Sequence, residues 1–393
     1  MKFRNRKNGF SLLDVIVIII ISGIVSALTT GLIMFNGNKY TTDPAIKQFI
    51  DVYEKLLDNY YEDINKEEMI NSAISGMLDY LGEDYSKYLD KTQTQALADK
   101  IAGYYNGVGI SVNELRVIVV VHEDSPAEKA GILPGDVIIK VNGEDVSTAP
   151  YKEIVELIKT FEDAPFTLTV VREEQERTFE LKREKLFVPV VEKRLIEENG
   201  KKIGYIYLDT FSETASLQLE RAIAKLEEQG MESLILDLRG NSGGLLSAAE
   251  GVASQFLEKG SVVYSLEEKN NTSIYKDKTE TKFDKRIVIL ANGGSASASE
   301  VLIAAIKDNL GATIVGTKTF GKGKVQQASK LDDGTMIKYT TARWLTPTGI
   351  CIDGIGILPD YEVLIPEAPE DVAVETYVPD DTQLKKAVEL LAN

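Results

Sequence analysis

"RIVILANGGSASASEVLIAAIKDN", residues 286–309, contains the two kinds of element from which we predict the fold. It begins with a near-continuous apolar run, IVIL, which is typical of a strand covered on both faces. It then passes through small residues into ASEVLIAAIKDN, a stretch with helical periodicity. A buried strand that leads through a short turn into a helix is the repeating unit of α/β folds.

The alternation of strand and helix continues on both sides of this stretch. The predicted strands are KIGYIYL, MESLILDLRG, RIVILAN and ATIVG, and the predicted helices include SLQLERAIAKLEEQG and LLSAAEGVASQFLEKG. A chain of 393 residues also exceeds what one hydrophobic core usually supports. We therefore predict a multidomain α/β protein with its α/β core at residues 186–370. A linker and a C-terminal helix, TQLKKAVELLAN, follow at residues 371–393.

Residues 99–185 are predicted to form a smaller, β-rich domain. Short strands, GVGISV, LRVIVVV, DVIIKVNG and FTLTVVR, are separated by turn residues and by one helical stretch, PYKEIVELIKT. Residues 39–98 are instead predicted to be helical, with one apolar stripe formed by Phe49, Val52, Leu56 and Tyr60. The stripe could pack within the chain or against a second copy, so a homodimer is one candidate assembly.

The N-terminal residues 1–38 are predicted to hold a membrane anchor. Four basic residues, Lys2, Arg4, Arg6 and Lys7, precede an apolar run of 21 residues from Val15 to Phe35. That length matches the ~20 residues a helix needs to cross the hydrocarbon layer. The basic flank places the N-terminus in the cytoplasm and the remainder outside a plasma membrane crossed once. A cleaved signal peptide ending near VSA, residues 25–27, is the alternative.

The composition excludes several classes of function. A net charge of −17, from 61 acidic and 44 basic residues, argues against nucleic acid as a partner. One cysteine, Cys351, permits no intramolecular disulfide and no multi-thiolate metal site, and we expect it to be a small buried apolar residue. The one histidine, His122, lies in the β-rich region and is expected to be an ordinary surface residue.

"GTKTFGKGK", residues 316–324, is close to the phosphate-binding pattern G-x-x-x-x-G-K-[ST]. The match fails at Gly323, where a magnesium-binding hydroxyl is needed, and in the following residues, which predict a hairpin in place of a helix. A lysine held away from water has a lowered pKa and can act as a base. Lys322 is therefore a candidate general base, and its nucleophile has to be found elsewhere in the sequence.

Three serines, Ser295, Ser297 and Ser299, lie at the junction between strand and helix. Ser297 with Glu300 fits the S-x-x-E capping box, and capping alone is the favoured interpretation from these residues. A helix N-terminus also offers free N–H groups to a developing oxyanion, and the glycine turn of LDLRGNSGG, residues 236–244, follows a neighbouring strand. Because His122 and Cys351 offer no attractive partner, a Ser-Lys pair remains, with the serine undecided.

Four blocks carry a resemblance to a known family: GMLDYLGEDYSKYL, LDLRGNSGG, NGGSASASE, and GTKTFGKGKVQQ leading to ARWLTPTG and GIGILPD. Their order and gaps are similar to those of the carboxyl-terminal processing peptidases, or tail-specific proteases, which are Ser-Lys peptidases. One departure is YLGEDYSKYL, where the family often has aspartate and proline before the tyrosine.

The resemblance implies a role for each residue of the site. The nucleophile, the general base and the residue that orients the base would be Ser297, Lys322 and Gln326. The oxyanion hole would consist of the N–H groups of Ala298 and of Gly243 or Gly244. Ser295 and Ser299 would then pack or cap. The implied protease core is of the crotonase/ClpP-like ββα type.

The resemblance also identifies residues 99–185 as a PDZ-like peptide-binding domain. Its carboxylate-binding loop would be GVGI, formed by Gly107, Val108, Gly109 and Ile110. A peptide would add as a strand beside this loop, facing Ile154–Ile158 on the helix. The implied function is a membrane-anchored serine endopeptidase that cleaves exposed C-terminal or flexible segments through an acyl-enzyme, with no metal or organic cofactor. The alternative is a membrane-tethered, non-catalytic PDZ adaptor.

Overall fold

The computed structural model describes residues 43–162, 164–280, 283–366 and 380–393. The predicted membrane helix at 15–35 and most of the predicted linker lie outside these ranges. Within them, no helix combines the length and the apolar character needed to cross a membrane.

Two helices, α1 (Pro44–Asn59) and α2 (Lys66–Asp79), belong to a first unit that ends at Tyr80. Each helix begins at a capping side chain: Asp43 accepts the N–H of Ala45, and Asn65 accepts N–H groups of the first turn of α2. The apolar stripe predicted on α1 is solvent-exposed along its length. That the stripe packs within the chain or against a second copy stays a prediction.

The prediction of helix throughout residues 39–98 is wrong in one place. A short strand, β1 (Lys87–Leu89), follows α2 and pairs antiparallel with residues 336–338. The next helix, α3 (Lys91–Ala102), begins at a capping box formed by Asp90 and Gln93 and ends at Gly103 in the left-handed conformation. Backbone pairing with a distant strand therefore overrides the local helical pattern of KYL.

The β-rich domain forms as predicted. Its strands are β2 (Tyr104–Gly107), β3 (Ile110–Val112), β4 (Ile118–Val121), β5 (Val137–Val141), β6 (Glu144–Asp145), β7 (Phe166–Arg172), β8 (Gln175–Leu181) and β9 (Glu184–Phe187). Its helices are α4 (Pro126–Ala130), which the sequence did not predict, and α5 (Tyr151–Lys159). The strands surround a core in which Ile118, Ile138 and Leu168 are fully buried.

The helix that would face the predicted peptide groove is α5, and its facing role stays a prediction. The side chains of Ile154 and Ile158 are 1% and 9% exposed and belong to the domain core, whereas Val155 between them is 36% exposed. Helix α5 has a strongly amphipathic pattern, and its apolar face packs into the core of the same domain.

The α/β core contains a six-stranded sheet in the order β10-β11-β12-β15-β16-β19. All neighbours are parallel except β10 and β11. The strands are β10 (Val191–Glu198), β11 (Lys201–Leu208), β12 (Ser233–Asp237), β15 (Arg286–Ala291), β16 (Thr313–Gly316) and β19 (Tyr361–Glu362). The helices are α6 (Ala215–Glu228), α7 (Leu246–Ala253), α8 (Ala298–Leu310) and α9 (Thr382–Ala392).

Both faces of this sheet are buried, as the apolar strands predicted. Along β12, Leu234 and Leu236 belong to one core cluster, and Ile235, between them, belongs to the other. Helices α6, α7 and α8 contribute to the first cluster, while α9 supplies Ala387 and Leu391 to the second. Each fully buried aliphatic side chain contributes about 1.5–3 kcal/mol, so these layers fix the strand ends that follow.

A salt bridge holds α9 in place. The Arg239 guanidinium donates to both oxygens of Asp237 and to both oxygens of Asp381, the residue that caps α9. Burial alone would raise the pKa of Asp381, but its hydrogen bonds to Arg239 and to the N–H of Leu384, together with the charge of Arg239, outweigh burial and lower that pKa. The C-terminal helix is thereby tied to the end of strand β12.

A second, antiparallel sheet has the strand order β1-β18-β13-β14, and β17 forms an additional pair with β18. Its remaining strands are β13 (Val262–Glu268), β14 (Thr272–Lys276), β17 (Lys324–Lys330) and β18 (Met336–Leu345). The predicted hairpin is confirmed as β17 and β18, whereas β10, β13 and β14 were not predicted. Because Lys322 is followed by a strand and not a helix, the phosphate-loop interpretation is excluded.

Candidate active site

Two glycine-rich turns meet at the carboxyl ends of the parallel strands β12 and β15. Asn241, which is fully buried, joins them. Its backbone oxygen accepts the N–H of Ala296 at 3.0 Å and the hydroxyl of Ser299 at 2.8 Å, and its side chain donates to Leu208. No sequence pattern indicated this role, since asparagine is a common residue in glycine-containing turns.

Among the three serines of the second turn, Ser297 alone is partly exposed. The hydroxyls of Ser295 and Ser299 are fully buried and donate to the backbone oxygens of Leu238 and Asn241, both at 2.8 Å. Their role is therefore structural. Burial thus leaves Ser297 as the accessible hydroxyl of the three, and its role as nucleophile stays a prediction.

The backbone of Ser297 is strained. It has φ 56° and ψ −117° at the N-cap of α8, a region that a side chain with a Cβ rarely occupies. Such a conformation costs about 1–3 kcal/mol and persists only where the surroundings enforce it. The surrounding contacts here come from Gly243 and Glu300.

Glu300, fully buried in the first turn of α8, accepts four hydrogen bonds. Its Oε2 accepts the N–H of Ser297 at 2.9 Å and that of Lys322 at 2.8 Å. Its Oε1 accepts the N–H of Gly321 at 2.7 Å and the hydroxyl of Thr319. Because one oxygen accepts both, the backbone nitrogens of Ser297 and Lys322 lie no farther apart than those two bonds placed end to end.

This bridge is the feature that sequence reasoning missed. Glu300 was interpreted as the partner in a capping box, and it does accept the N–H of Ser297 as that pattern predicts. The S-x-x-E pattern was thus the signal that could have singled out Glu300. The other three donors, Thr319, Gly321 and Lys322, belong to a loop that follows β16, and no local pattern reveals them.

Lys322 is half-buried and its main chain is held on both sides. Its N–H donates to Glu300, and its carbonyl oxygen accepts the indole N–H of Trp344 at 2.8 Å. Over the described residues, its Nζ makes neither a hydrogen bond nor an ion pair, and lies 4.9 Å from the ring centre of Tyr85. Burial, together with the charge of Lys338, places the pKa of Lys322 below its ordinary value, although the charge of Glu300 opposes this.

The predicted oxyanion donors lie beside Ser297. A methyl group on Gly243 would come within 2.9 Å of Ser297 Cβ and 3.0 Å of the nitrogen of Ala298. The N–H of Gly243 already donates to the side chain of Asn241 at 2.9 Å, while Gly244 is exposed. Within the described ranges, no acceptor is present for the N–H of Ala298 or of Gly244.

Gln326 lies on β17, where its amide donates to the hydroxyl of Thr340 at 3.3 Å. That hydroxyl in turn donates to Glu83. The part of the chain that the structure describes contains no hydrogen bond between Gln326 and Lys322, so the orienting role of Gln326 stays a prediction.

The two residues set aside as partners lie elsewhere. His122 is half-buried in the β-rich domain, with Nε2 3.3 Å from Ser111 Oγ, and burial lowers its pKa, so it is not the plain surface residue expected. Cys351 is a free, partly exposed thiol, which corrects the expectation that it is buried.

The predicted carboxylate-binding loop lies between β2 and β3. Gly109 has φ +83°, and a methyl group there would come within 2.1 Å of Ser125 Cβ, so glycine is required. The carbonyl oxygens of Val108 and Gly109 accept N–H groups of Ala127 and His122, while Gly107 and Ile110 end and begin the flanking strands. In the described structure β3 pairs only with β4, which leaves its other edge open.

Comparison with known families matches three parts of the chain. Residues 202–363 match peptidase family S41, residues 117–172 match a PDZ domain, and residues 32–93 match the N-terminal domain of the activating protease CtpB. The PDZ match falls inside the predicted domain at 99–185, and the S41 match spans every element that carries the site.

Curated relatives agree with these matches. A probable CtpA-like serine protease of Staphylococcus haemolyticus (strain JCSC1435) is 35% identical over 97% of this chain and 78% of its own length. One of Staphylococcus aureus (strain bovine RF122 / ET3-1) is 38% identical over 84% of this chain and 67% of its own length. A solved structure, the photosystem II D1 C-terminal processing protease, is 27% identical and covers 88% of this chain and 91% of its own, with a TM-score of 0.49. The chain therefore belongs to peptidase family S41 and is a serine-type carboxyl-terminal processing protease with a PDZ domain.

Proposed function

We propose that Ser297 and Lys322 form the catalytic dyad of a membrane-anchored endopeptidase that cleaves exposed C-terminal or flexible protein segments. The observation that carries the proposal is the Glu300 bridge, because one buried oxygen holds the backbone of both residues. The hydroxyl is partly exposed, and the amine is desolvated and has no polar partner among the described residues. These are the properties that a nucleophile and its base require.

In this mechanism neutral Lys322 Nζ accepts the proton of Ser297 Oγ as the oxygen attacks the peptide carbonyl carbon. The carbonyl electron pair moves onto its oxygen, which the N–H groups of Ala298 and Gly244 stabilise. Gly244 is preferred over Gly243 because the N–H of Gly243 is already bonded to Asn241. The intermediate collapses, the C–N bond breaks, and the leaving amine takes the proton from Lys322; water then hydrolyses the acyl-enzyme.

The PDZ domain would supply the substrate segment. An extended chain can add to the open edge of β3, with its terminal carboxylate at the loop formed by residues 107–110. Because Ile154 and Ile158 are buried, the side chains of such a peptide would not contact the face of α5 that carries these two residues. Gln326 would orient Lys322 once it leaves Thr340.

The anchor belongs to the same proposal. The apolar run at 15–35 and the basic residues before it support one crossing of the plasma membrane with the catalytic part outside. Fractionation of cells, followed by protease treatment of intact cells, tests this; a full-length chain recovered in the soluble fraction refutes the anchor without touching the dyad.

Cleavage of an unstructured protein such as casein tests the dyad. Ser297→Ala and Lys322→Ala should each abolish turnover, whereas Lys318→Ala, an exposed lysine of the same loop, should leave it unchanged. Retained turnover in either dyad variant refutes the assignment. The adaptor alternative predicts peptide binding with no turnover in the unaltered chain, so the same assay separates the two functions.

A further inference from the structure

Residues 81–90, the Glu83 segment, reach the site from a region that the mechanism does not use. The segment follows α2, contains β1 and ends at the N-cap of α3. Its strand pairs with β18, the same strand that pairs with β17 just after Lys322. In the sequence, most of this segment belongs to a block that resembles the family, with one departure from the family pattern, and no role was assigned to Glu83 or Tyr85.

Glu83 fixes the segment to the hairpin. Its side chain is 9% exposed, forms an ion pair with Lys324 at 3.2 Å and accepts the hydroxyls of Ser86 and Thr340. Burial would raise the pKa of Glu83, but these hydrogen bonds outweigh it and hold that pKa below its usual value. Glu83 therefore anchors the segment as a carboxylate, at the hydroxyl to which Gln326 also bonds.

Two residues after this anchor, the ring of Tyr85 faces the catalytic loop. Its centre lies 4.9 Å from Lys322 Nζ and 5.7 Å from Lys324 Nζ. Burial, and next the charge of Asp353, raise the pKa of Tyr85, so its ring stays neutral over the working range of pH. The ring is the aromatic contact of an amine that has no polar partner in the described structure.

We propose that Tyr85 is a positioning residue for Lys322: its ring covers the amine, keeps water from it and holds it in one place, and Glu83 fixes the ring there. The proposal rests on the assignment of Lys322 as the base. It gives the Glu83 segment a part in the reaction through the contact of Tyr85 with Lys322.

The ring has two opposed effects on the amine. Its face attracts a cation, which favours the protonated form. Its bulk excludes water, which favours the neutral form. Under the proposal, exclusion of water outweighs the attraction for the cation, and the ring then acts in the same direction as the burial that lowers the pKa of Lys322. Removing the ring should therefore make Lys322 a more ordinary, protonated lysine.

The other charged groups near Tyr85 and Lys322 lie on several different elements. Lys338 on β18 lowers the pKa of Lys322, and Glu300 on α8 raises it. Asp353, Lys324 on β17, Asp84 in the Glu83 segment and Glu300 act on Tyr85. None of these groups changes when Tyr85 is replaced by an uncharged residue, so a change in the titration of Lys322 reports the ring alone.

The test measures the titration of Lys322 directly, without activity as the readout. Full-length Ser297→Ala protein is acetylated with trace acetic anhydride from pH 6 to 11, and labelling of Lys322 is quantified by mass spectrometry. In this background Tyr85→Ala should raise the midpoint by about one pH unit, a tenfold loss of neutral amine at neutral pH. Tyr85→Phe should match the unaltered ring. Tyr85→Leu, which excludes water without a cation-binding face, should lie at or slightly below it.

Controls and refuting outcomes are distinct from those of the dyad. Tyr80→Ala, at a tyrosine that is 90% exposed, should leave the midpoint unchanged. Glu83→Gln should raise it in the same direction as Tyr85→Ala, because the anchor weakens. An unchanged midpoint in Tyr85→Ala, or an equal rise in Tyr85→Leu and Tyr85→Ala, overturns the proposal while the dyad stands. Turnover that survives Lys322→Ala overturns the dyad whatever the labelling shows.

Discussion

Replacing Glu300 by glutamine should disable the enzyme even though Glu300 touches no substrate. The carboxylate presents two oxygens to four donors: Ser297 and Lys322 on one, Gly321 and Thr319 on the other. A glutamine keeps one oxygen and turns an NH₂ group toward the other pair. The Thr319 hydroxyl can rotate to accept from that group, but a backbone N–H has no such freedom.

The magnitude follows from the donors left without an acceptor. With the amide oxygen toward Ser297 and Lys322, one buried backbone N–H, that of Gly321, loses its partner; in the flipped orientation two do. Each unsatisfied buried donor costs about 1–3 kcal/mol, so the free energy of unfolding should fall by about 1–3 kcal/mol in the first orientation and by about 2–6 kcal/mol in the second. In the first orientation the residue before Lys322 loses its anchor, and in the second the strained backbone of Ser297 loses its acceptor. Either change displaces a member of the dyad, and such a displacement costs about 100-fold in kcat.

The assay compares kcat and KM for a fluorogenic peptide with urea unfolding of the same preparation. Glu300→Gln should lower kcat with little change in KM, since substrate contacts are intact. The matched control is Glu267→Gln, which removes an exposed ion-pair partner of Arg343 and should leave both unchanged. A Glu300→Gln protein that keeps native kcat while folded refutes the positioning role of Glu300.

Three further predictions use the same preparations. Lys322→Met should raise the free energy of unfolding at neutral pH, because burial lowers the folded pKa of Lys322 below the 10.5 of the unfolded chain. Between those two pKa values the unfolded state binds one proton more than the folded state. The gain in stability should therefore vanish above pH 10.5, which urea titrations at several pH values would measure. Gly243→Ala should abolish turnover, because the new methyl would lie 2.9 Å from Ser297 Cβ at φ +101°, and native kcat in a folded variant would contradict the close approach. Asp381→Asn should weaken the attachment of α9 to Arg239 by about 1–2 kcal/mol at neutral pH, an effect lost as pH falls through the lowered pKa of Asp381; unchanged urea stability would contradict the clamp.

The fold was predictable wherever one element carries its own pattern. IVIL on β15 and LILDL on β12 indicate strands covered on both faces, and the sheet buries both. The strands that escaped prediction, such as β13 and β14, lie in an antiparallel sheet whose outer positions are partly exposed, so their apolar pattern is weak. For the short strand β1, only its partner on β18 decides the structure.

The residues of the site also divide into those that a local motif predicted and those that it did not. Ser297 and Lys322 were found because each stands in a short distinctive motif, and the choice of serine came from a resemblance that burial later supports. Glu300, Asn241 and Tyr85 were not assigned their roles, because each acts through contacts with residues far away in the sequence. Spacing rules describe one element at a time, and these residues join several.

The central claim is that the amine of Lys322 activates the hydroxyl of Ser297. Its most direct test is the rate at which a fluorophosphonate labels the protein, with the modified residue mapped by mass spectrometry. We expect the label on Ser297, a rate that rises with pH along the titration of Lys322, and a rate at least 100-fold lower in Lys322→Met, since general-base catalysis contributes about 10²–10⁴-fold. Labelling of another serine, or a native rate in folded Lys322→Met, would contradict the account.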